Sequence, residues 1–427
     1  MWTMLGYGGA QALRFVSNVI LTRLLFPEAF GLMMLVNTVI MGLEMFSDVG
    51  TRASLIQSRR GNDDGFLRTA FTVKAVRGVS LWLIASALSY PASLFFQKPE
   101  LATILPVASL NAIVMGFGST KVLLASRNMQ LRQLTALNLS TQFIAIVVMI
   151  SWAYFHPSVW ALVAGTLTGS LSNVIAGHLL FPGRSDRFGW DKSAAQEMFR
   201  FGRWIFFSTA LAYLAGQGDA LLMGRMVTVT QLGVFAIASN LAKLVGEALN
   251  HLGNSVLFPA YSKVVRETPE RLPAVLLKSR VTLMSAGAVG YLPFIIFGTF
   301  IVDIIYDQRY AEAGWMLQTL ACGFTTGLMH RSYGGILHAK GMSYESTILQ
   351  FFQVTIKFAC FSTGFYLYGL PGLIAGVAFN SWLSYPALAI IMRRAGVWQP
   401  KSDAVALVIG AILTALFFSF RPDGLEF

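Results

Sequence analysis

Five basic residues lie deep inside long apolar stretches of this chain, where bulk water is hard to reach: Arg14, Arg77, Lys243, Arg331 and Lys357. A charge at the centre of a bilayer costs about 2.5–3.5 kcal/mol on insertion scales, so each residue needs an aqueous cavity or a counter-ion. A guanidinium grips phosphate through bidentate, charge-assisted hydrogen bonds. If the five side chains converge, they predict a cationic cavity that binds the anionic group of a substrate.

Acidic residues in the same stretches are candidates for coupling to a proton or sodium gradient. They are chiefly Asp219, and then Glu44 and Glu247. Asp219 could equally be a salt-bridge partner or a polar group in helix packing. Two i, i+4 pairs could simply join helices: Lys243 with Glu247 and Asp48 with Arg52. The other four deep cations have no acid one turn away on their own segment, which favours a functional role for them.

Polar residues repeat at helical spacing around these charges. The stripes are Gln11, Arg14 and Asn18; then Asn240, Lys243, Glu247, Asn250 and Asn254; and finally Gln350, Gln353 and Lys357. Each stripe places its charge on one face of a helix. Stripes from both halves of the chain would line a central polar cavity if they face each other.

The elements that must position these residues are apolar segments long enough to cross a bilayer. Twelve of them have about the 20 residues that a hydrocarbon core of about 30 Å requires, and a shorter thirteenth covers 404–420. In lipid the backbone must satisfy its own hydrogen bonds, which favours helices, and the segments are too long for barrel strands. The twelve cover 4–26, 31–55, 69–95, 101–125, 134–156, 159–181, 203–226, 232–257, 279–305, 314–338, 345–368 and 370–392.

Composition supports an all-α polytopic membrane protein. The chain is 55% hydrophobic and 12% charged, with a mean hydropathy of +0.61. Soluble proteins carry roughly 25% charged residues, so a large soluble enzyme is excluded.

The net charge of +12 indicates membrane topology rather than nucleic-acid binding. Basic residues concentrate in alternate loops, for example at Arg127 and Arg132, whereas the intervening loops hold little beyond Lys98, Arg225 and Arg309. The positive-inside rule therefore places the basic loops in the cytoplasm, as expected for a multi-pass protein of the bacterial inner membrane.

Other chemistries find little support. Cys322 and Cys360 lie inside apolar segments, the five histidines show no zinc spacing, and the chain has no GxxxxGK[ST] loop. We expect no catalytic residue, no metal and no cofactor apart from a coupling H⁺ or Na⁺.

A polar, basic stretch divides the chain into two predicted lobes of six helices. The amino-terminal lobe covers 1–182, a cytoplasmic linker covers 183–202, and the carboxy-terminal lobe covers 203–395. A cytoplasmic loop and the short thirteenth helix follow in 396–427. At an offset of 202 residues, Arg23 aligns with Arg225 and Gly31 with Gly233. An even number of helices separates the copies, so the repeat is a parallel one about an axis along the membrane normal.

Four short motifs resemble a known family: LTRLLFPEAFGL (21–32), FSDVGTRASLIQ (46–57), QLGVFAIASNLA (231–242) and VLFPAYSKV (256–264). They are similar to bacterial polysaccharide transporters of the multidrug/oligosaccharidyl-lipid/polysaccharide exporter superfamily. The resemblance implies two six-helix lobes around a central cavity. It also implies transfer of undecaprenyl-diphosphate-linked oligosaccharides between membrane leaflets.

The sequence thus predicts a flippase for an O-antigen, capsule or exopolysaccharide precursor that works by alternating access and is coupled to an ion gradient. Its expected partners are the lipid-linked oligosaccharide, membrane lipids, a polysaccharide polymerase and glycosyltransferases, and not nucleic acid. The alternatives are a cation-coupled multidrug exporter of the same superfamily and a membrane glycosyltransferase or polymerase.

Overall fold

The computed structural model describes residues 2–47, 50–51, 54–55, 58, 60–183, 185–202 and 205–419. The regular secondary structure of these residues is entirely helical, without a strand. Asp48 and Arg52, the second predicted i, i+4 pair, lie outside them. The first helices are α1 (Trp2–Leu24), α2 (Pro27–Phe46), α3 (Asp64–Phe96), α4 (Leu101–Ala108), α5 (Leu110–Gly116), α6 (Thr120–Arg127), α7 (Leu131–Phe155) and α8 (Val159–Leu180).

The remaining helices follow the predicted linker and reach nearly to the end of the chain. They are α9 (Lys192–Gly202), α10 (Ile205–Met226), α11 (Val229–Leu252), α12 (Phe258–Glu267), α13 (Leu272–Ile305), α14 (Ala313–Ser332), α15 (Ile336–Ala339), α16 (Ser343–Arg394) and α17 (Pro400–Ser419). One π-helical turn, Gly253–Leu257, joins α11 to α12. Helix α16 is two helices joined at Gly369, whose φ of 61° and ψ of −139° are not helical.

All thirteen predicted segments overlap a helix, so the prediction of a multi-pass helical membrane protein is confirmed. In the described part of the chain, eight helices are long and apolar enough to cross a membrane, or nine if the bent run Leu101–Gly116 plus Thr120–Arg127 is one span. Three more have the length of a span but are less apolar: α1, α10 and α14, with 23, 22 and 20 residues. These three carry Arg14, Asp219 and Arg331.

The chain forms two compact units. The amino-terminal unit comprises the described residues up to Tyr213 together with Ala220–Gly233. The carboxy-terminal unit comprises Leu214–Asp219 and the described residues from Val234 onward. Thus α10 and α11 each contribute residues to both units, and the predicted linker belongs to the amino-terminal one.

In the amino-terminal unit, the two repeated segments identified in the sequence pack against each other. A Cβ on Gly31 would overlap the carbonyl oxygen of Val229, and a Cβ on Gly233 would overlap that of Pro27. The two contacts join residues 198 and 206 positions apart, which is one helical turn less and one helical turn more than the repeat offset of 202. Close approach of the first turns of α2 and α11 requires glycine at both positions.

The predicted linker is fastened to the amino-terminal unit by hydrogen bonds and apolar contacts. The Asp186 carboxylate accepts hydrogen bonds from the Ser119 hydroxyl (2.6 Å) and from the backbone N–H (3.0 Å) and hydroxyl of Thr120. Burial raises the pKa of Asp186, but these hydrogen bonds outweigh burial and leave the pKa below its usual value. Helix α9 packs Ala194 and Met198 into an apolar cluster with Leu55, Phe66 and Ala70.

Asp191 holds the start of α9 and ties it to the loop before α3. Its carboxylate accepts hydrogen bonds from the Ser193 hydroxyl (2.6 Å), the backbone N–H groups of Ser193 (2.8 Å) and Ala194 (3.3 Å), and the Arg60 guanidinium (2.8 Å). The hydrogen bonds from Ser193, and then those from Arg60 and Ala194, lower the pKa of Asp191. This arrangement is an N-cap combined with a surface ion pair.

Because the folded-state pKa of Asp191 is depressed, its contribution to stability is present above the pKa of an unfolded aspartate, about 3.9. It is lost as the pH falls through the folded-state pKa. We therefore expect Asp191→Asn to lower the melting temperature of the purified protein at pH 7, and the difference from wild type to shrink towards pH 3. Thermal melts at pH 7, 5 and 3 check this, with the exposed Asp303 changed to asparagine as the matched control. An equal difference at every pH would contradict it.

Candidate functional site

Four of the predicted site residues come together in the carboxy-terminal unit, from three helices. Lys357 on α16 forms an ion pair with Asp219 on α10, and only 15% and 13% of the two side chains is exposed. The same ammonium donates a hydrogen bond to the Ala215 carbonyl oxygen at 2.9 Å. Lys243 on α11 lies close enough to interact electrostatically with Asp219, Lys357 and Glu247. We call these four residues, Asp219, Lys243, Glu247 and Lys357, the charge cluster.

The charge cluster contains both kinds of charge pairing that the sequence left open, a salt bridge between helices and an i, i+4 pair within one helix. Asp219 is a salt-bridge partner, as one alternative stated, and its partner is the lysine 138 positions later. Lys243 and Glu247 interact as the i, i+4 alternative predicted. The two ammonium groups of the cluster are therefore matched by two carboxylates, and the four formal charges cancel.

Arg331 on α14 lies against α11 in the same unit. Its guanidinium touches the backbone at Gly246 and stands 5.9 Å from the centre of the Phe324 ring. Among the described residues its side chain has no hydrogen-bonding or ion-pair partner, and its Nη1 is buried. Arg331 therefore differs from Lys357, whose ammonium is committed to Asp219 and to the Ala215 carbonyl oxygen.

Arg77 and Glu44 come together in the amino-terminal unit, but in a way that the sequence did not predict. The Arg77 guanidinium donates to the Glu44 backbone carbonyl (2.6 Å) and to the Ser47 hydroxyl (3.0 Å). Both acceptors belong to the last turn and the C-cap of α2, whose final carbonyls have no partner within the helix. A cation is favourable at this end of the helix dipole. Arg77 thus caps α2, beside the Glu44 carboxylate.

Arg14 lies on an exposed part of α1 and has no hydrogen-bonding or ion-pair partner among the described residues. Gln11, a member of the same predicted stripe, donates a hydrogen bond from its side-chain amide to the Tyr7 hydroxyl at 3.1 Å. Of the eight predicted residues, the structure thus brings four into the charge cluster and pairs Arg77 with Glu44. Arg331 and Arg14 keep free donors.

Two polar groups in the carboxy-terminal unit escaped sequence reasoning. His330 contacts the Gln353 amide (2.8 Å) and the Ser381 carbonyl (3.0 Å) through its two ring nitrogens. Arg280 and Asp403 form an ion pair with no exposed side-chain area. No local spacing links Arg280 with Asp403, which are far apart in the chain. The sequence showed only that Arg280 and Asp403 each lie at the edge of a predicted apolar segment.

The comparisons with known proteins agree with this architecture. The family described as "Polysaccharide biosynthesis protein" matches residues 20–314. The succinoglycan biosynthesis transport protein ExoT of Rhizobium meliloti (strain 1021) is 21% identical over 436 residues, which span 99% of this chain and 82% of ExoT. The lipopolysaccharide biosynthesis protein WzxC of Escherichia coli (strain K12) is 22% identical over 400 residues, 90% of this chain and 80% of WzxC.

Solved transporter structures share the fold. The lipid II flippase MurJ in its inward closed conformation superimposes with a TM-score of 0.71 at 10% identity, over 98% of each chain. An inward-facing multidrug transporter of the MATE family, from the MOP superfamily, gives a TM-score of 0.67 at 15% identity, over 95% of this chain and 96% of that one. The family resemblance and the all-helical membrane fold predicted from the sequence are therefore confirmed, and the chain belongs to the polysaccharide biosynthesis protein family.

Proposed function

We propose that this protein is a flippase of the bacterial inner membrane that transfers a polyprenyl-diphosphate-linked oligosaccharide from the cytoplasmic to the periplasmic leaflet. Membership of the polysaccharide biosynthesis family carries the proposal. The names of ExoT and WzxC, which refer to the biosynthesis of succinoglycan and of lipopolysaccharide, support it. The substrate would be supplied by glycosyltransferases and used by a polymerase.

The charges of the carboxy-terminal unit support an anionic substrate over an organic cation. Lys243, Lys357 and Arg331 are partly or largely withdrawn from solvent. Asp219 and Glu247 balance the two lysines, so the remaining positive charge is that of Arg331, which attracts a diphosphate and repels a hydrophobic cation. The same charges weigh against the multidrug-exporter alternative, although its fold is shared. A transporter rather than a glycosyltransferase is favoured because the relatives and structural neighbours are transport proteins.

For the coupling ion, the charge cluster supports a proton over sodium. The Lys357 ammonium occupies the place beside the Asp219 carboxylate that a sodium ion would need. Sodium binding would require that ammonium to leave, whereas a proton can move within the pair. Alternating access driven by protonation of the charge cluster is therefore the mechanism we propose.

The test is transport by the purified protein in liposomes. The probe is undecaprenyl diphosphate that carries a short fluorescent oligosaccharide, and its transfer is read by chemical quenching of the outer leaflet. We expect a proton gradient, and not a sodium gradient, to accelerate the transfer. Ethidium uptake without lipid transfer would instead support a multidrug exporter. Release or extension of the glycan would support an enzyme.

A further inference from the structure

The Arg331 guanidinium occupies a space that exists because residue 246 has no side chain. A Cβ built on Gly246 would overlap Nη1 of Arg331 and would stand 2.9 Å from Cζ and 3.0 Å from Nη2. Real Cβ atoms are essentially never found so close to another heavy atom. The neighbouring atoms are the far end of a flexible side chain. An alanine here would therefore displace the guanidinium and leave the helix backbones in place.

This guanidinium is held in position without being neutralised. Other arginines meet acceptors: Arg127 donates to the Leu55 and Ser58 carbonyls, and Arg77 caps α2. The Arg331 side chain has no such acceptor among the described residues, and its Nη1 is buried. An unmet buried donor costs free energy, and it costs more when it is charged. Such a cost is expected where donors are kept for a ligand.

A second donor stands in the same neighbourhood. The hydroxyl of Tyr291 on α13 is buried and lies beside the Gly246 backbone. The charge of Arg331 acts on this hydroxyl, so the two groups are close. The Phe324 ring stands 5.9 Å from the guanidinium carbon and limits its movement on one side. Helices α11, α13 and α14 thus surround one cation with its donors uncommitted.

We propose that Gly246 is a positioning residue that holds the Arg331 guanidinium where it can bind two anionic oxygens of the substrate. This inference rests on the proposed function. A planar guanidinium binds two anionic oxygens at once, which suits a phosphate or a carboxylate. A diphosphate and an acidic sugar of the glycan share this chemistry.

The experiment follows the reaction of Arg331 with phenylglyoxal, an arginine reagent, by peptide mass spectrometry of the whole purified protein. We expect inorganic pyrophosphate to slow the modification of Arg331 at least threefold in wild type. Sodium glucuronate replaces pyrophosphate in a parallel arm to distinguish the two sources of the anion. Gly246→Ala should abolish the protection. Gly216→Ala is the matched control, because Gly216 is a helical glycine of the same unit with nothing within 4 Å of an added Cβ.

Transport of the lipid-linked probe provides the second readout. Gly246→Ala should reduce transport to the level of Arg331→Ala, and the double variant should be no worse than either single one, as for two residues that act as a unit. If Gly246→Ala melts far below wild type, adding Arg331→Lys should restore the melting temperature, because the narrower ammonium fits beside alanine.

The inference would be overturned if protection persists in Gly246→Ala. It would also be overturned if neither anion protects Arg331 in wild type. Loss of protection together with unchanged transport would show that Gly246 positions the Arg331 guanidinium. It would refute only the role of Arg331 in the proposed transport.

Discussion

Replacing Asp219 with asparagine is expected to abolish coupled transport and to lower the free energy of unfolding by about 3–5 kcal/mol, the usual cost of removing one partner of a buried ion pair. The change leaves the Lys357 ammonium without its carboxylate in a site where both side chains are largely buried. Lys243 loses the same neighbouring charge. Chemical denaturation in detergent measures the stability, and the liposome assay measures transport under a proton gradient.

Two variants separate the structural effect from the coupling effect. Asp219→Asn combined with Lys357→Met removes both charges and should recover most of the lost stability, because a neutral pair carries no uncompensated charge. Transport should stay absent, since the group that takes up the proton is missing. Asp303→Asn, an exposed acid of the same unit, should match wild type in both assays. Full gradient-dependent transport by Asp219→Asn would remove Asp219 from the coupling mechanism.

The second large effect is expected at Arg280 and Asp403, which together fasten α17 to the carboxy-terminal unit. Arg280 donates to the Tyr333 hydroxyl at 2.7 Å and to the Ser332 hydroxyl at 3.0 Å, in addition to its ion pair with Asp403. Asp403 also accepts a hydrogen bond from the Trp398 indole at 3.1 Å. Both charged side chains are fully buried. Arg280→Met alone should therefore lower the free energy of unfolding by about 3–5 kcal/mol.

A double variant tests whether this loss comes from the unpaired charge. Arg280→Met with Asp403→Leu should be clearly more stable than Arg280→Met alone, because a buried pair can be replaced by apolar groups at little cost. Lys263→Met is the matched control. It breaks a surface pair with Glu267 whose side chains are 70% and 58% exposed, and such pairs contribute about 0–1 kcal/mol. Equal effects of Arg280→Met and Lys263→Met would show that the buried pair does not stabilise the unit.

Much of the fold was predictable because a bilayer allows little choice. A long apolar segment in lipid must be a helix, so hydropathy alone located α7 and α8 to within a few residues. The break in α16 was also visible, since Gly369 precedes Leu370 and Pro371 in a turn-forming sequence. The predicted segment 101–125 was less accurate. The helix is interrupted after Gly116 and bends by 63° before Thr120. The glycines at this break, Gly116 and Gly118, are not taken into account when apolar residues are counted.

The site was predictable in its members but not in its pairings. Helical spacing grouped Lys243 with Glu247, and the two charges interact, because they lie one turn apart on one helix. It gave no means to assign Lys357 to Asp219, or to see that Arg77 satisfies the end of α2.

By itself, then, the sequence determined that this chain is a multi-pass helical protein with unusual intramembrane charges, since the cost of exposing backbone and charge to lipid acts on each segment separately. Only the tertiary structure decided which charges neutralise each other and which stay available. That outcome depends on how helices far apart in the chain pack, and at Gly246 on the absence of a single Cβ beneath Arg331.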